Sequence, residues 1–135
     1  MIVGVGGYLS KMFQISVQTQ FCAAHALSIA GAREPIHGHN WDVTAVIAGD
    51  RLDSDGLLCD FHTVHAVLDE IVQPFHNNNL NTTKPFDEVN PSAELVAKHI
   101  AVELQRLLGE SLAPHAKVAS VRVTEAAGCA ATYLT

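Results

Sequence analysis

Two histidines two positions apart, His37 and His39, are the residues best placed by type and spacing to do chemistry. Side chains alternate between the faces of a β-strand, so positions i and i+2 share a face at a separation of about 7 Å. Two imidazoles at that spacing can turn toward one metal ion. Gly38 removes the side chain between them and gives the backbone room to bend. A third imidazole, His25, stands twelve residues before His37 at the end of an apolar segment. Three neutral imidazoles with one coordination position left open make a catalytic zinc site, in contrast to a closed structural one.

These histidines need elements to hold them. Phe13 to Phe21 alternates apolar Phe13, Ile15 and Val17 with polar Gln14, Ser16 and Gln18, which predicts a half-buried strand running toward His25. Residues 28–36, with Gly31 and Pro35, read as a loop over the site. Asn40 to Ala48 predicts a second strand with Trp41, Val43, Ala45 and Ile47 on one face. Asp60 caps a helix whose Val64, Val67, Leu68 and Ile71 recur at helical spacing and which Pro74 closes. An Asn-rich loop spans 75–90. Pro91 and Glu94 then open a second helix, with Leu95, Val96, Ile100, Leu104 and Leu107 as its apolar stripe, to about Leu108. Lys117 to Glu125 and Ala130 to Leu134 are strands three and four. The class is α+β, in the order β-β-α-α-β-β. Two helices cover one face of a four-stranded antiparallel sheet, and its open edges call for pairing with neighbouring copies.

The 135 residues form one domain, 13–135, behind a flexible extension over residues 1–12 that does not make a signal peptide. No run approaches the ~20 apolar residues of a membrane-spanning helix, so no membrane partner is expected. A net charge of −6 argues against a nucleic-acid partner, since phosphates demand a basic stripe. Only 16% of residues are charged against 48% apolar, a lean surface that points to cover by other subunits. Cys22, Cys59 and Cys129 are odd in number and scattered, which fits a reducing, cytoplasmic compartment. Cys22 falls on the strand face opposite His25 and reads as a packed thiol; Cys59 and Cys129 read as core.

Six segments together carry a family resemblance: Phe21-Cys22-Ala23-Ala24-His25, His37-Gly38-His39-Asn40-Trp41, Gly56-Leu57-Leu58-Cys59-Asp60-Phe61, Leu80-Asn81, Asn90-Pro91-Ser92-Ala93-Glu94 and Val121-Arg122-Val123-Thr124-Glu125. The chain resembles the 6-pyruvoyltetrahydropterin synthase / 6-carboxytetrahydropterin synthase family over roughly residues 13–135. The resemblance implies the T-fold, in which three subunits close their sheets into a barrel and two trimers stack as a homohexamer with active sites between subunits. It implies a pterin substrate, usually 7,8-dihydroneopterin triphosphate, and zinc held by His25, His37 and His39. It makes Glu125 the carboxylate that anchors the 2-amino and N3 edge of the pterin ring.

Two departures matter. The cysteine that usually precedes the His-Gly-His is missing from Gly31-Ala32-Arg33-Glu34-Pro35-Ile36, and Glu34 resembles the glutamate that replaces it in the malaria-parasite branch, which forms 6-hydroxymethyl-dihydropterin. The usual Leu-Asp-His becomes Phe75-His76-Asn77. The resemblance therefore nominates Glu34 as the base, His76 as its acid/base partner, and Asn77 as a substrate-binding residue that cannot carry a proton. Arg33 and Lys84 are the cations available to a triphosphate. Two functions follow as expectations. One is a zinc-dependent carbon–oxygen or carbon–carbon lyase; the other is a pterin-binding homologue without synthase activity.

Overall fold

The computed structural model describes residues 12–135; the expected extension, save Met12, lies outside the described residues. Its elements are β1 (Phe13–His25), β2 (Ser28–Ile29), β3 (Ala32–Arg33), β4 (His37–Gly49), α1 (Phe61–Val72), β5 (Asn78–Asn79), α2 (Ala93–Leu112), β6 (Ala116–Ala126) and β7 (Cys129–Leu134). The main sheet has the order β5-β1-β4-β6-β7, with β5 parallel to β1 and every other pair antiparallel.

Alternation builds the core. Val17, Phe21, Ala23 and His25 of β1 are buried beside Trp41, Val43, Ala45 and Ile47 of β4. The register sets Val17 opposite Ala45 and Phe21 opposite Trp41, and those two rings stack with centroids 5.7 Å apart. On β6 the inward positions change parity from Val118 to Val121. A register shift opposite Val46 and Ile47 leaves Ala119 over, so both valines face the core. The helices cover this face. Asp60 caps α1 by accepting the His62 N–H at 2.8 Å, and Val64, Leu68, Ile71 and Val72 are buried. Ser92 caps α2 by accepting the Leu95 N–H at 3.2 Å. Each fully buried Leu, Ile or Val contributes about 1.5–3 kcal/mol.

Several expectations need correction. The sheet has five strands, because Asn78 and Asn79 add a two-residue edge beside Ala23 and Ala24. β1 runs on to His25, and β4 begins at His37, so both histidine motifs lie inside strands, and Gly38 sits in a regular ladder opposite Ala24 without a bend. Residues 28–36 contain the β2–β3 hairpin, whose turn places Ala30 and Gly31 at φ 50° and 81°, the left-handed pair of a two-residue hairpin. α2 extends to Leu112 and buries Val96, Ala97, Ile100, Ala101, Leu104, Leu108 and Leu112, leaving Leu95 and Leu107 exposed. Cys59 is half-buried against the core, but Cys129 is exposed on the outer strand.

Candidate metal centre and its surroundings

The antiparallel register of β1 and β4 assembles the imidazoles. His25 lies directly opposite His37, and His39 opposite Ala23, so all three rings project from the helix-covered face where β1 ends and β4 begins. Their ring centroids are 4.7–5.0 Å apart. One nitrogen from each falls within 4.8 Å of the others. Trp41 forms the floor, edge-on to His25 and His39 at 4.9 and 5.6 Å, with its indole N–H donated to the Ala23 carbonyl at 3.1 Å.

Hydrogen bonds fix which nitrogen is free. His25 Nδ1 lies 2.8 Å from the Pro91 carbonyl and His37 Nδ1 lies 2.9 Å from the Pro35 carbonyl. A carbonyl can only accept, so each Nδ1 carries the proton and each Nε2 keeps a bare lone pair. Burial holds the His39 pKa below its ordinary value; the neighbouring His25 and His37 add to this, while Glu125 and Glu34 oppose it. His39 is therefore neutral near pH 7, the form in which an imidazole could bind a metal. His25 Nε2, His39 Nε2 and Glu125 Oε2 are buried without a hydrogen-bond partner. Leaving such atoms unpaired costs about 1–3 kcal/mol each. His25 Nε2 and Glu125 Oε2 are facing acceptors with no donor between them, which suits a divalent cation, and three clustered imidazoles suit zinc.

The strand beyond His25 is held by side chains. Asn81 accepts the Ala26 N–H at 2.7 Å and donates to the Ala26 carbonyl at 2.8 Å. Asn90 does the same for Ser28, at 2.8 and 3.0 Å. Between them Glu34 Oε1 accepts the Leu27 N–H at 2.9 Å, while the Glu34 N–H donates to the Leu27 carbonyl at 2.9 Å. This clamp brings Glu34 Oε1 to 3.7 Å from His37 Nε2. Glu125 approaches from β6, its Oε2 3.5 Å from His25 Nε2. Glu34 and Glu125 thus flank the three imidazoles.

His76 and Asn77 lie along the outer edge of β1. His76 Nδ1 accepts the Cys22 N–H at 3.1 Å, and the Asn77 N–H, at a residue with φ 60°, donates to the Cys22 carbonyl at 2.6 Å. His76 Nδ1 is an acceptor here, so its proton is on Nε2. Asn77 lines a shallow cavity of about 570 Å³ with Cys22, Ala24, Gly38, Asn40 and Asn79, mostly on the uncovered sheet face, and His39 is part of the same lining. Cys22 donates its thiol to Asn40 Oδ1 at 2.9 Å on that face. Lys84 lies in a groove between the helices with Glu70, Glu103 and Arg106, and Arg33 is exposed beside Glu34. Asn81 and Asn90 have no physical role in the sequence reading, and Pro91, expected in the first turn of the second helix, lies before the Ser92 cap and gives its carbonyl to His25; their place in the recognised segments was the available signal.

Residues 14–135 match the family model described as 6-pyruvoyl tetrahydropterin synthase. The chain is 32% identical over 103 residues to the Bacillus subtilis 6-carboxy-5,6,7,8-tetrahydropterin synthase, covering 71% of this chain and 68% of that protein. It is 35% identical over 69 residues to a putative 6-carboxy-5,6,7,8-tetrahydropterin synthase of Archaeoglobus fulgidus, covering 50% and 57%. Its fold resembles that of Caenorhabditis elegans 6-pyruvoyl tetrahydropterin synthase, with a TM-score of 0.78 at 17% identity over 93% of this chain and 96% of that one. It also resembles Plasmodium vivax 6-pyruvoyltetrahydropterin synthase in which a catalytic glutamate is changed to alanine, with a TM-score of 0.75 at 18% identity over 91% and 97%. The architecture is the T-fold. No helix among the described residues is long and apolar enough to cross a membrane. With the family match spanning nearly the whole chain and a relative above 30% identity, the chain belongs to the 6-pyruvoyl tetrahydropterin synthase family.

Proposed function

We propose that this chain is a zinc-dependent carbon–oxygen or carbon–carbon lyase acting on 7,8-dihydroneopterin triphosphate or a close relative. The observation that carries the reading is the Glu34 carboxylate, 3.7 Å from the free nitrogen of His37 at the rim of the imidazole cluster. His25, His37 and His39 would hold zinc, which when bound acts as a Lewis acid on substrate oxygens and acidifies the adjoining C–H. Glu125 accepts the 2-amino and N3 protons of the pterin, each charge-assisted bond contributing about 1.5–3 kcal/mol. Glu34 has one oxygen held by the Leu27 N–H and the other available to take the substrate proton. The catalytic glutamate of the Plasmodium vivax protein supports that role. His76 is the weaker member of the pair. With Nδ1 accepting from Cys22 it offers only an Nε2–H donor, so it orients a substrate group instead of removing a proton.

The reading includes a cytoplasmic homohexamer. The edge of β1 before β5 and the outer edge of β7 lack a partner strand within the described residues, and further copies would close them.

One observation favours a second function, a pterin-binding protein without synthase activity: the usual Asp-His pair is His76-Asn77, and His76 is committed to the β1 backbone. Incubation with 7,8-dihydroneopterin triphosphate separates the two. Release of triphosphate with a 6-carboxy, 6-pyruvoyl or 6-hydroxymethyl product supports the lyase. Binding without turnover, lost in Glu125→Ala, supports the second function.

A further inference from the structure

The role given to Glu125 above leaves one fact unexplained: its Oε2 is buried, has no hydrogen-bond partner, and lies 3.5 Å from His25 Nε2, which is also unpartnered. The two atoms cannot satisfy each other. His25 has its proton on Nδ1, donated to the Pro91 carbonyl, so Nε2 and Oε2 are both acceptors. At 3.5 Å the contact is also longer than a charge-assisted N–H···O bond of about 2.7–2.9 Å. The spacing fits a shared ion instead. Ligand atoms about 2.1 Å from a tetrahedral zinc stand about 3.4 Å from one another.

The backbone aims the carboxylate there. Between Thr124, paired with Ala130, and Ala126, paired with Cys129, the β6–β7 register slips and Glu125 is the residue left over. It keeps the parity of Val121 and Val123, both buried on the helix-covered face. Glu125 thus reaches the imidazoles from a third strand, on the face shared by His25 and His37.

We propose that in the absence of substrate Glu125 is the fourth ligand of the metal, and that it leaves the ion when a pterin ring docks. A carboxylate that turns both oxygens square to the 2-amino/N3 edge swings Oε2 away from the imidazoles, so one movement forms the anchor and opens the coordination position. Substrate recognition is thereby coupled to unmasking of the metal. Without a pterin, the carboxylate keeps solvent and stray ligands from the fourth position. This inference rests on the proposed metal site, and its test separates the two.

The full chain is stripped with a chelator and reloaded with Co(II), whose visible absorption reports coordination. Uptake is compared among wild type, Glu125→Gln, Glu125→Ala and His25→Ala, with thermal melting to verify folding. The two Glu125 variants are expected to bind Co(II) about tenfold or more weakly, with altered bands. In the wild-type protein, 2-amino-4-oxopteridine, a pterin with no side chain to reach the ion, is expected to change the bands as it binds. This measurement needs no variant. Wild-type affinity and bands in both folded Glu125 variants would overturn the assignment, as would pterin binding, followed by equilibrium dialysis, that leaves the wild-type spectrum unchanged. If His25→Ala abolishes uptake while the Glu125 variants bind normally, the metal site stands and only the fourth ligand falls. No Co(II) uptake by wild type overturns both.

Discussion

At the scale of single residues, the proposed site separates into groups that would hold an ion and a group that would react. His25 and His37 each have Nδ1 tied to a backbone carbonyl, which leaves Nε2 free for the proposed ion. Glu34 keeps an oxygen free. Changing Glu34 to Gln preserves its shape and the bond from Leu27 but removes the base. Turnover of 7,8-dihydroneopterin triphosphate is expected to fall by about 10²–10⁴, with metal content by elemental analysis unchanged. Unchanged turnover would remove Glu34 from the chemistry. The shared face of His37 and His39 was legible in the sequence because period-two spacing on a strand sets it; their closeness to His25 depends on the β1–β4 register. The placement of His76 was not. Its partner is a backbone N–H at Cys22, 54 positions away, and backbone donors leave no mark in a sequence.

At the scale of elements, the clamp around residues 26–28 decides whether His25 stays in place. Asn81 pairs with both backbone groups of Ala26, a residue only 1% exposed. Asn81→Ala is expected to cost about 2–4 kcal/mol in denaturant unfolding, since it strands two buried backbone groups. It should also weaken zinc binding, which separates a positioning role from bulk stability. Retention of wild-type affinity would show that His25 is fixed by Pro91 alone. Strands and helices were predicted largely where they occur, because alternation and capping residues are local signals. Their ends were not. β1 continues four residues past Phe21 through small residues without a clear alternation, and it is the pairing with β4 that keeps them extended. α2 runs through Gly109 because Leu108 and Leu112 gain burial that outweighs glycine's cost of about 1 kcal/mol. The β5 edge exists only as a partner to β1, so nothing within Asn78-Asn79 could announce it.

At the scale of the whole molecule, the core carries a titrating group in its outer layer. His99 packs edge-on between Phe75 and Phe86 at 5.6 and 5.4 Å, and burial lowers its pKa below 6.5, opposed in part by Glu103. The unfolded chain takes up a proton at pH 6.5 that the native chain refuses. Stability is therefore full above that pH and declines as pH falls from 6.5 toward the lower native value. His99→Leu should flatten this part of the stability profile in chemical denaturation; an unchanged slope would assign the acid sensitivity elsewhere. The open strand edges make a second expectation at this scale. Light scattering should give a mass that is a multiple of three chains, and a monomer would leave the proposed site without its neighbour. Composition had already signalled the lean surface, but which edges stay open depends on strand order.

Beneath the imidazoles lies the only indole in the sequence, Trp41, in ring contact with His25 and His39. Its fluorescence therefore reports from a single known place. A paramagnetic ion seated above it should quench the emission steeply and with one-to-one stoichiometry, and a chelator should restore the light. The protein carries its own optical gauge of occupancy, readable in a cuvette without a label.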